Sequence, residues 1–445
     1  MPRTHLMSRR FVPFALIGGL VAAALFAWAC GGSAGTTGYT DPFSTTRTSS
    51  AIIDATTLGQ WTDEGKVNAP LGTAARVVVV SVSTVANFTS TTKKHIPDAF
   101  NLDYPNELTM TREEGLGPAT VMVLSGPRMD ALVQKLGIDA GTTVVLTVPR
   151  GTSDSDMYQL SVAYFTFRYW GFSRDRVKIL NGGDDAWEVA GRALSDAMLV
   201  PTPSTYSVTA NKVLKDTLRY SVGEVLSFVD SVNRDRSVLN TWQILDVRGF
   251  TTTPYVANAY RGNGGYQFVT DRVNGEATRN RLYPDAAALA SRMAASPVLD
   301  GAAQAFVSPS KKMLVMCGSS TSASPTFVLF DAVLAVPEGD IAMYDGSASQ
   351  WNLYSVARIQ TAGASASQAA TWAFDGATSG TSAVRAVGTM PAAAPGENPF
   401  VPGNFVYSPT QSEVNQIESA DRAYMSQTGG KSTPGGGSGG STGGC

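Results

Sequence analysis

Few residues of this chain can do soft nucleophilic chemistry. The cysteines are Cys30, Cys317 and Cys445, and the histidines are His5 and His95. Cys317 sits in a telling context, LVMCGSSTSAS, residues 314–324, where an apolar run ends at the thiol and small or hydroxylated residues follow. Gly318, Ser319, Ser320, Thr321 and Ser322 are small enough for the backbone to curl and point several N–H groups at one atom. A helix is expected next, with Ser324 as its N-cap and Pro325 at its first position, so its positive end aims at the same place. Both effects favour thiolate over thiol and welcome an anionic sulfur or oxyanion. The same pattern also fits a buried free cysteine closing a core strand. Position alone leaves the two readings open.

Other site chemistries lack their residues. There is no CxxC, no haem-type CxxCH and no histidine cluster for zinc or copper, so no metal or other cofactor is expected. A Cys–His dyad would have to use His95, more than 200 residues upstream. Basic and acidic residues number 34 and 36, the net charge is -2, and no long basic stripe offers nucleic acid a foothold.

The elements that must position Cys317 follow an alternating pattern. RVVVVSV (76–82) and TTVVLTV (142–148) read as buried parallel-type strands. Helical patterns cover 126–138 and 155–172; in the second, Leu160, Tyr164 and Phe167 share one face. RVKILNGGDDAWEVAG (176–191) reads as strand, Gly-Gly turn and short helix. The order then recurs: helix 222–233, strand 242–249, helix 284–296, strand 312–317, helix 324–335, and a closing strand, turn and short helix over 340–351. An α/β fold follows, with two duplicated halves, each a parallel sheet flanked by helices. The expected divisions are 51–199 and 208–355, joined by VPTPSTYS. An extension over 356–428 opens its helix, 410–427, on a Thr-x-x-Glu capping box, and a Gly/Ser-rich tail, 429–445, ends at Cys445.

The first thirty residues resemble a bacterial lipoprotein signal. A basic MPRTHLMSRR precedes an apolar run, then Ala27 and Ala29 stand at -3 and -1 from Cys30. On that reading 1–29 is removed, Cys30 is lipidated and anchors the protein to a membrane, the outer one favoured, and 30–50 is a flexible tether. An uncleaved membrane anchor is the alternative. If Cys30 is acylated, Cys317–Cys445 is the one disulfide left within the chain. The tail gives Cys445 two readings, an internal resolving thiol or a cysteine that pairs with another chain.

Five stretches, in order, resemble the tandem-domain rhodanese family, the thiosulfate and 3-mercaptopyruvate sulfurtransferases. HIPDAFNL (95–102) is similar to its His-Ile-Pro-Gly-Ala signature, and ILNGGDDAWEVAG to its Leu-x-Gly-Gly-x-x-x-Trp turn. ILDVR (244–248) and MYDGSASQW (343–351) are similar to the strand signature and close of the catalytic half. CGSSTSA (317–323) lines up with the active loop Cys-Gly-Ser/Thr-Gly-Val-Thr-Ala.

The resemblance implies that Cys317 takes sulfane sulfur as a persulfide from thiosulfate or 3-mercaptopyruvate and passes it to a thiol acceptor. Backbone N–H groups of residues 318–322 would hold the anionic sulfur, Ser319 would hydrogen-bond the nucleophile, and Arg248 would hold the donor's anionic group. Arg248 has a second reading, an ion pair with Asp246. Asp103 would face the site from the first half. That half has no cysteine in its own loop, PRGTSDSDM, and carries Ser81 and Ser83 where Asp and Arg are usual, so His95 reads as structural. Ser320 stands where the family has glycine; a positive φ there would strain a serine by roughly 1 kcal/mol. The alternative function is a catalytically weak scaffold. The chain's overall look also resembles lipoproteins of outer-membrane cytochrome conduits and of selenite or tellurite reduction, which implies an extracytoplasmic redox-protein partner.

Overall fold

Four consecutive valines open strand β2 (Val77–Ser83), and every residue of it is buried. β-Branched side chains covered on both faces belong inside a parallel sheet. The computed structural model describes residues 51–354, apart from 115–116, 152–153, 253–254, 257–258 and 301, together with 415–427. The expectations for the leader, tether, Cys30, Cys445, the Thr410 capping box and the tail fall outside the described residues.

In the first half β1 (Ile52–Ile53) and β2 are followed by β3 (Phe100–Asp103). An antiparallel pair comes next, β4 (Met110–Glu114) and β5 (Gly117–Met122), then β6 (Thr143–Thr147) and β7 (Val177–Leu180). The sheet order is β1-β7-β6-β2-β3, all neighbours parallel. Helices α1 (Ala55–Asp63), α2 (Val85–Phe88), α3 (Gly126–Lys135), α4 (Asp154–Tyr169) and α5 (Gly183–Val189) connect the strands.

The second half uses β8 (Trp242–Asp246), β9 (Tyr260–Arg261), β10 (Val298–Asp300), β11 (Ala303–Ala305), β12 (Lys312–Met316) and β13 (Ile341–Met343). Its order is β11-β10-β9-β8-β12-β13. β13, β12, β8 and β9 thus repeat β7, β6, β2 and β3, and a parallel bridge from Arg219 to Met343 stands where β1 pairs with β7. The fold is α/β with a duplicated parallel core. Helices α6 (Val222–Arg234), α7 (Ala286–Ala295), α8 (Ser324–Val328) and α9 (Ser347–Trp351) fill the corresponding connections. α8 runs on as a π-turn, Leu329–Val333. α6 opens on a capping box between Ser221 and Glu224, which satisfies two end groups of the helix reciprocally.

The one-faced stripe expected for α4 is only part of its burial. Met157, Val162, Phe165 and Arg168 are buried as well as Leu160, Tyr164 and Phe167, because the second half covers the helix's other side. Phe165 meets Phe327 of α8 edge-on at 4.9 Å. Arg168 grips buried Asp331 through Nε at 2.8 Å and Nη2 at 3.2 Å, and the Tyr164 hydroxyl donates to the same carboxylate at 2.7 Å. Burial pushes Asp331 up, but Arg168 and Arg174 more than offset it and hold the carboxyl below its usual range.

A last helix, α10 (Gln416–Met425), spans both halves. Asp421 accepts from Arg112 of β4 at 2.7 and 2.8 Å and from the Tyr169 hydroxyl at 2.9 Å. Glu418 shares Arg219 with Glu114 and Asp345, all four fully buried or nearly so.

Candidate active site

β12 ends at Met316, so Cys317 stands at the C-terminal edge of a parallel sheet, where open α/β proteins bind ligands. Among the described residues Cys317 is the free cysteine, and it is 1% exposed. The strand end is gripped by the start of α9. Ala348 N–H donates to the Cys317 carbonyl and Ser349 N–H to that of Gly318, each at 3.0 Å.

The Ser319 and Ser322 N–H groups act on the sulfur. Ser320 N–H turns to the Ser347 hydroxyl oxygen at 3.4 Å, Thr321 N–H to the Ser319 carbonyl at 2.8 Å and Ala323 N–H to the Ser320 carbonyl at 3.0 Å. Ser319 is half-buried and contributes its N–H to the sulfur. Burial pushes the Cys317 thiol up, and the N–H groups and Ser347 only partly offset it. The dipoles expected to favour thiolate are present, yet desolvation of a buried anion outweighs them.

Ser347 is the site residue that motif reading passed over. Its oxygen accepts from Cys317 N–H at 3.1 Å, its proton goes to the Tyr344 carbonyl at 2.7 Å, and it lies 3.9 Å from the Cys317 sulfur. Ser347 is fully buried with φ +50°, a conformation that strains a serine. The first half has Gly183 at the matching place, with φ +56°. The two matching carbonyls, of Val148 and Cys317, accept from Asp184 and Ala348, so Val148 replaces the cysteine. The signal for Ser347 lay in YDGSASQW itself, as the serine that follows its Gly346 turn.

Ser320 has φ +65°, the strained conformation that a glycine would relieve. Ser324 opens α8 at its first position with Ala323 as N-cap; its hydroxyl donates back to the Ser320 carbonyl at 3.0 Å instead of capping the helix. From the first half, the Tyr104 hydroxyl lies 3.5 Å from that of Thr321. Asp103, beside it, is held by Asn106 Nδ2 at 2.6 Å. Arg248 makes the ion pair of its second reading. Its Nε and Nη2 donate to Asp246 at 2.8–3.1 Å, and its guanidinium covers the Tyr255 ring at 4.7 Å.

His95 lies away from this site. It stacks on Phe88 at 3.7 Å, and its Nδ1 and Nε2 face the carbonyls of Phe88 and Ala197 at 2.9 and 3.1 Å. The first half's own sheet end is closed by a strap from the second half. Arg272 and Arg281 pair with Asp154, and Asn280 donates to the Pro149 carbonyl. That leaves about 30 Å³ beside Gly182 and Gly183, room for a water or two.

Comparison with known proteins bears on this geometry. The chain aligns with the sulfur carrier protein TtuD of Thermus thermophilus, 24% identical over 268 residues that cover 58% of this chain and 82% of the relative. This chain is similar to a sulfur carrier. Among solved structures, YnjE matches at TM-score 0.46 and 17% identity over 68% of this chain and 66% of its own, just under two thirds. SseA of Escherichia coli, described as a 3-mercaptopyruvate sulfotransferase with the rhodanese fold, matches at TM-score 0.45 and 16% identity over 67% and 98%. No protein-family model matches the chain.

Proposed function

We propose that the protein is a sulfurtransferase that carries sulfane sulfur on Cys317. The observation that carries this reading is one buried thiol at a parallel strand's end, in a loop whose Ser319 and Ser322 N–H groups act on the sulfur, with the Ser347 hydroxyl 3.9 Å away. Such a cradle suits a persulfide anion, which keeps its charge outside the cysteine's own sulfur and draws on fixed donors. The likeness to a sulfur carrier supports it. Thiosulfate and 3-mercaptopyruvate are the proposed donors and a small thiol the acceptor. Residues 318–322 line the anion's place, with Arg248 and Asp103 at its margin. Lipidation at Cys30 would hold the protein on the outer membrane, at a periplasmic or cell-surface face, with an extracytoplasmic redox protein as partner. Among the described residues no helix is long and apolar enough to cross a membrane.

Intact mass after incubation with either donor tests the reading. Wild type should gain about 32 Da, one sulfur atom, reversed by dithiothreitol and absent from Cys317→Ala. No gain, or the same gain on the variant, sinks it.

A second reading is a rhodanese-like scaffold with little turnover. It draws on the commitment of Arg248 to Asp246 and on the burial of the thiol. In that case the redox partner is captured equally by wild type and Cys317→Ala, and neither gains sulfur.

A further inference from the structure

Arg76 stands just before β2, at the N-terminal edge of the first half's sheet, and is 4% exposed. Its bonds go to neutral acceptors. Nε donates to the Ala69 carbonyl at 2.6 Å, and Nη1 donates to the Gly137 carbonyl and the Thr142 hydroxyl. Among the described residues Nη2 has no acceptor, and no carboxylate makes an ion pair with the guanidinium. Asp139 reaches it only through its field, because its oxygens accept from Gly72, Gly141 and Thr142. Burial pulls Arg76 below its usual range, and Asp139 offsets only part of that. Native buried charges are paired, since taking an ion out of water without a counter-charge is costly.

The guanidinium lines a groove of about 590 Å³. Small-molecule sites occupy about 300–1,000 Å³ and join apolar walls to a few placed polar groups. The other walls here are mostly apolar. Phe100 opens β3, Leu71 comes from the loop before β2, and Leu199 and Val200 come from the chain that leads to the second half. Leu71, Leu199 and Val200 are 40, 42 and 90% exposed, an apolar surface left to water beside a buried charge. Asp98 stands at the exposed rim, where solvent screens its carboxylate. One buried cation among apolar walls complements a ligand with one anionic head and an aliphatic chain.

We infer that this groove binds an aliphatic carboxylate from solution, its head on Arg76 Nη2 and its chain between Phe100, Leu71, Leu199 and Val200. The site shares no residue with the surroundings of Cys317 and does not depend on the sulfur-transfer reading. One guanidinium answers one charge, so a monoanion fits better than a doubly charged phosphate monoester. An alcohol of the same chain would leave the cation unpaired. Each methylene that leaves water between the walls should add about three- to fourfold in affinity. Leu199 and Val200 belong to the link between the halves, so the bound chain joins that link to the first half's sheet edge.

Hydrogen exchange of the full chain, followed over 68–76 and 196–202, tests this with butanoate, hexanoate, octanoate and hexanol. The carboxylates should slow exchange in both segments, with the half-saturating concentration falling about three- to fourfold per methylene. Hexanol should bind about tenfold or more weakly than hexanoate. Leu199→Asp changes an exposed side chain, so it should keep the melting temperature and weaken hexanoate about tenfold or more. Arg76→Gln should abolish the preference for hexanoate over hexanol. Octanoate that protects neither segment, hexanol that matches hexanoate, or an unchanged midpoint in Leu199→Asp overturns the site. Arg76 also ties down Ala69 and Gly137, so if Arg76→Gln fails to fold, the hexanol and Leu199→Asp arms decide.

Discussion

The Ser320 hydroxyl donates to the Val121 carbonyl at 2.8 Å, and both residues hold positive φ, +65° and +59°. Val121 belongs to β5, in the first half, and a β-branched residue in that region is a conformational outlier. Two strained residues from opposite halves thus hold each other at the loop that cradles the Cys317 sulfur. The serine stands in place of a glycine and returns a bond for its strain.

The exchange predicts an order of stabilities. Ser320→Gly relieves roughly 1 kcal/mol of strain and loses about one hydrogen bond of similar worth, so it should stay near wild type. Ser320→Ala keeps the strain and loses the same bond to the half-buried Val121 carbonyl, so it should fall about 1 kcal/mol below both. Urea midpoints of the three proteins check it. Equal midpoints for the glycine and alanine variants would count against the strain, and an alanine midpoint equal to that of wild type would count against the bond.

Ser347→Ala should be harsher on chemistry. The hydroxyl oxygen accepts from two N–H groups of the loop, and those of Cys317 and Ser320 would lose their partner. A fall of about 1–3 kcal/mol in stability is expected. The initial rate of adduct formation should drop about tenfold or more, read by quenched intact mass. A full rate with a loosened fold would leave Ser347 a structural residue only.

Burial sets the pH dependence of the thiol. Because desolvation pushes Cys317 up, the protein at neutral pH holds it as a thiol. Alkylation should be slower at pH 7.5 than for a free cysteine and still climbing above the ordinary thiol range of about 8.5. A rate that levels off by pH 7 would show a thiolate and contradict the burial.

The duplicated sheet was legible because its central strands are near-continuous β-branched runs, which few alternatives accommodate. RVVVVSV and KMLVMC each lie within a residue or two of an observed strand. The β4–β5 pair was not, since MTREEGLGPATVM mixes charge, glycine and proline and shows no clean alternation. Its strand character comes from the neighbours it reaches across the two halves, among them Ser320 and Asp421. Cys317 could be picked out by residue type and place. Ser347 could not, because its value lies in which groups its hydroxyl oxygen already serves. That is a property of three-dimensional accounting, and no spacing encodes it.

The buried cluster under α10 gives the last prediction, and its sign follows from one cation among three carboxyls. Arg219 donates to Glu114, Asp345 and Glu418 at 2.8–3.1 Å, and all four side chains are buried. Burial, helped by Glu224 and Glu114, pushes Glu418 from 4.5 up to about 9 despite Arg219. The folded protein therefore binds that proton more tightly than the unfolded chain. Stability from this group is complete below about pH 4.5 and is lost progressively as pH rises toward about 9. Glu418→Gln mimics the protonated form and removes that slope. The variant's melting temperature, relative to wild type, should rise steadily from pH 5 to pH 9, with wild type the less stable at the alkaline end. Hydrogen exchange of 416–425 should quicken with pH in wild type beyond the intrinsic rate, and not in the variant. A constant difference across that range would mean that Glu418 is charged in the fold and that Arg219 holds all three carboxylates.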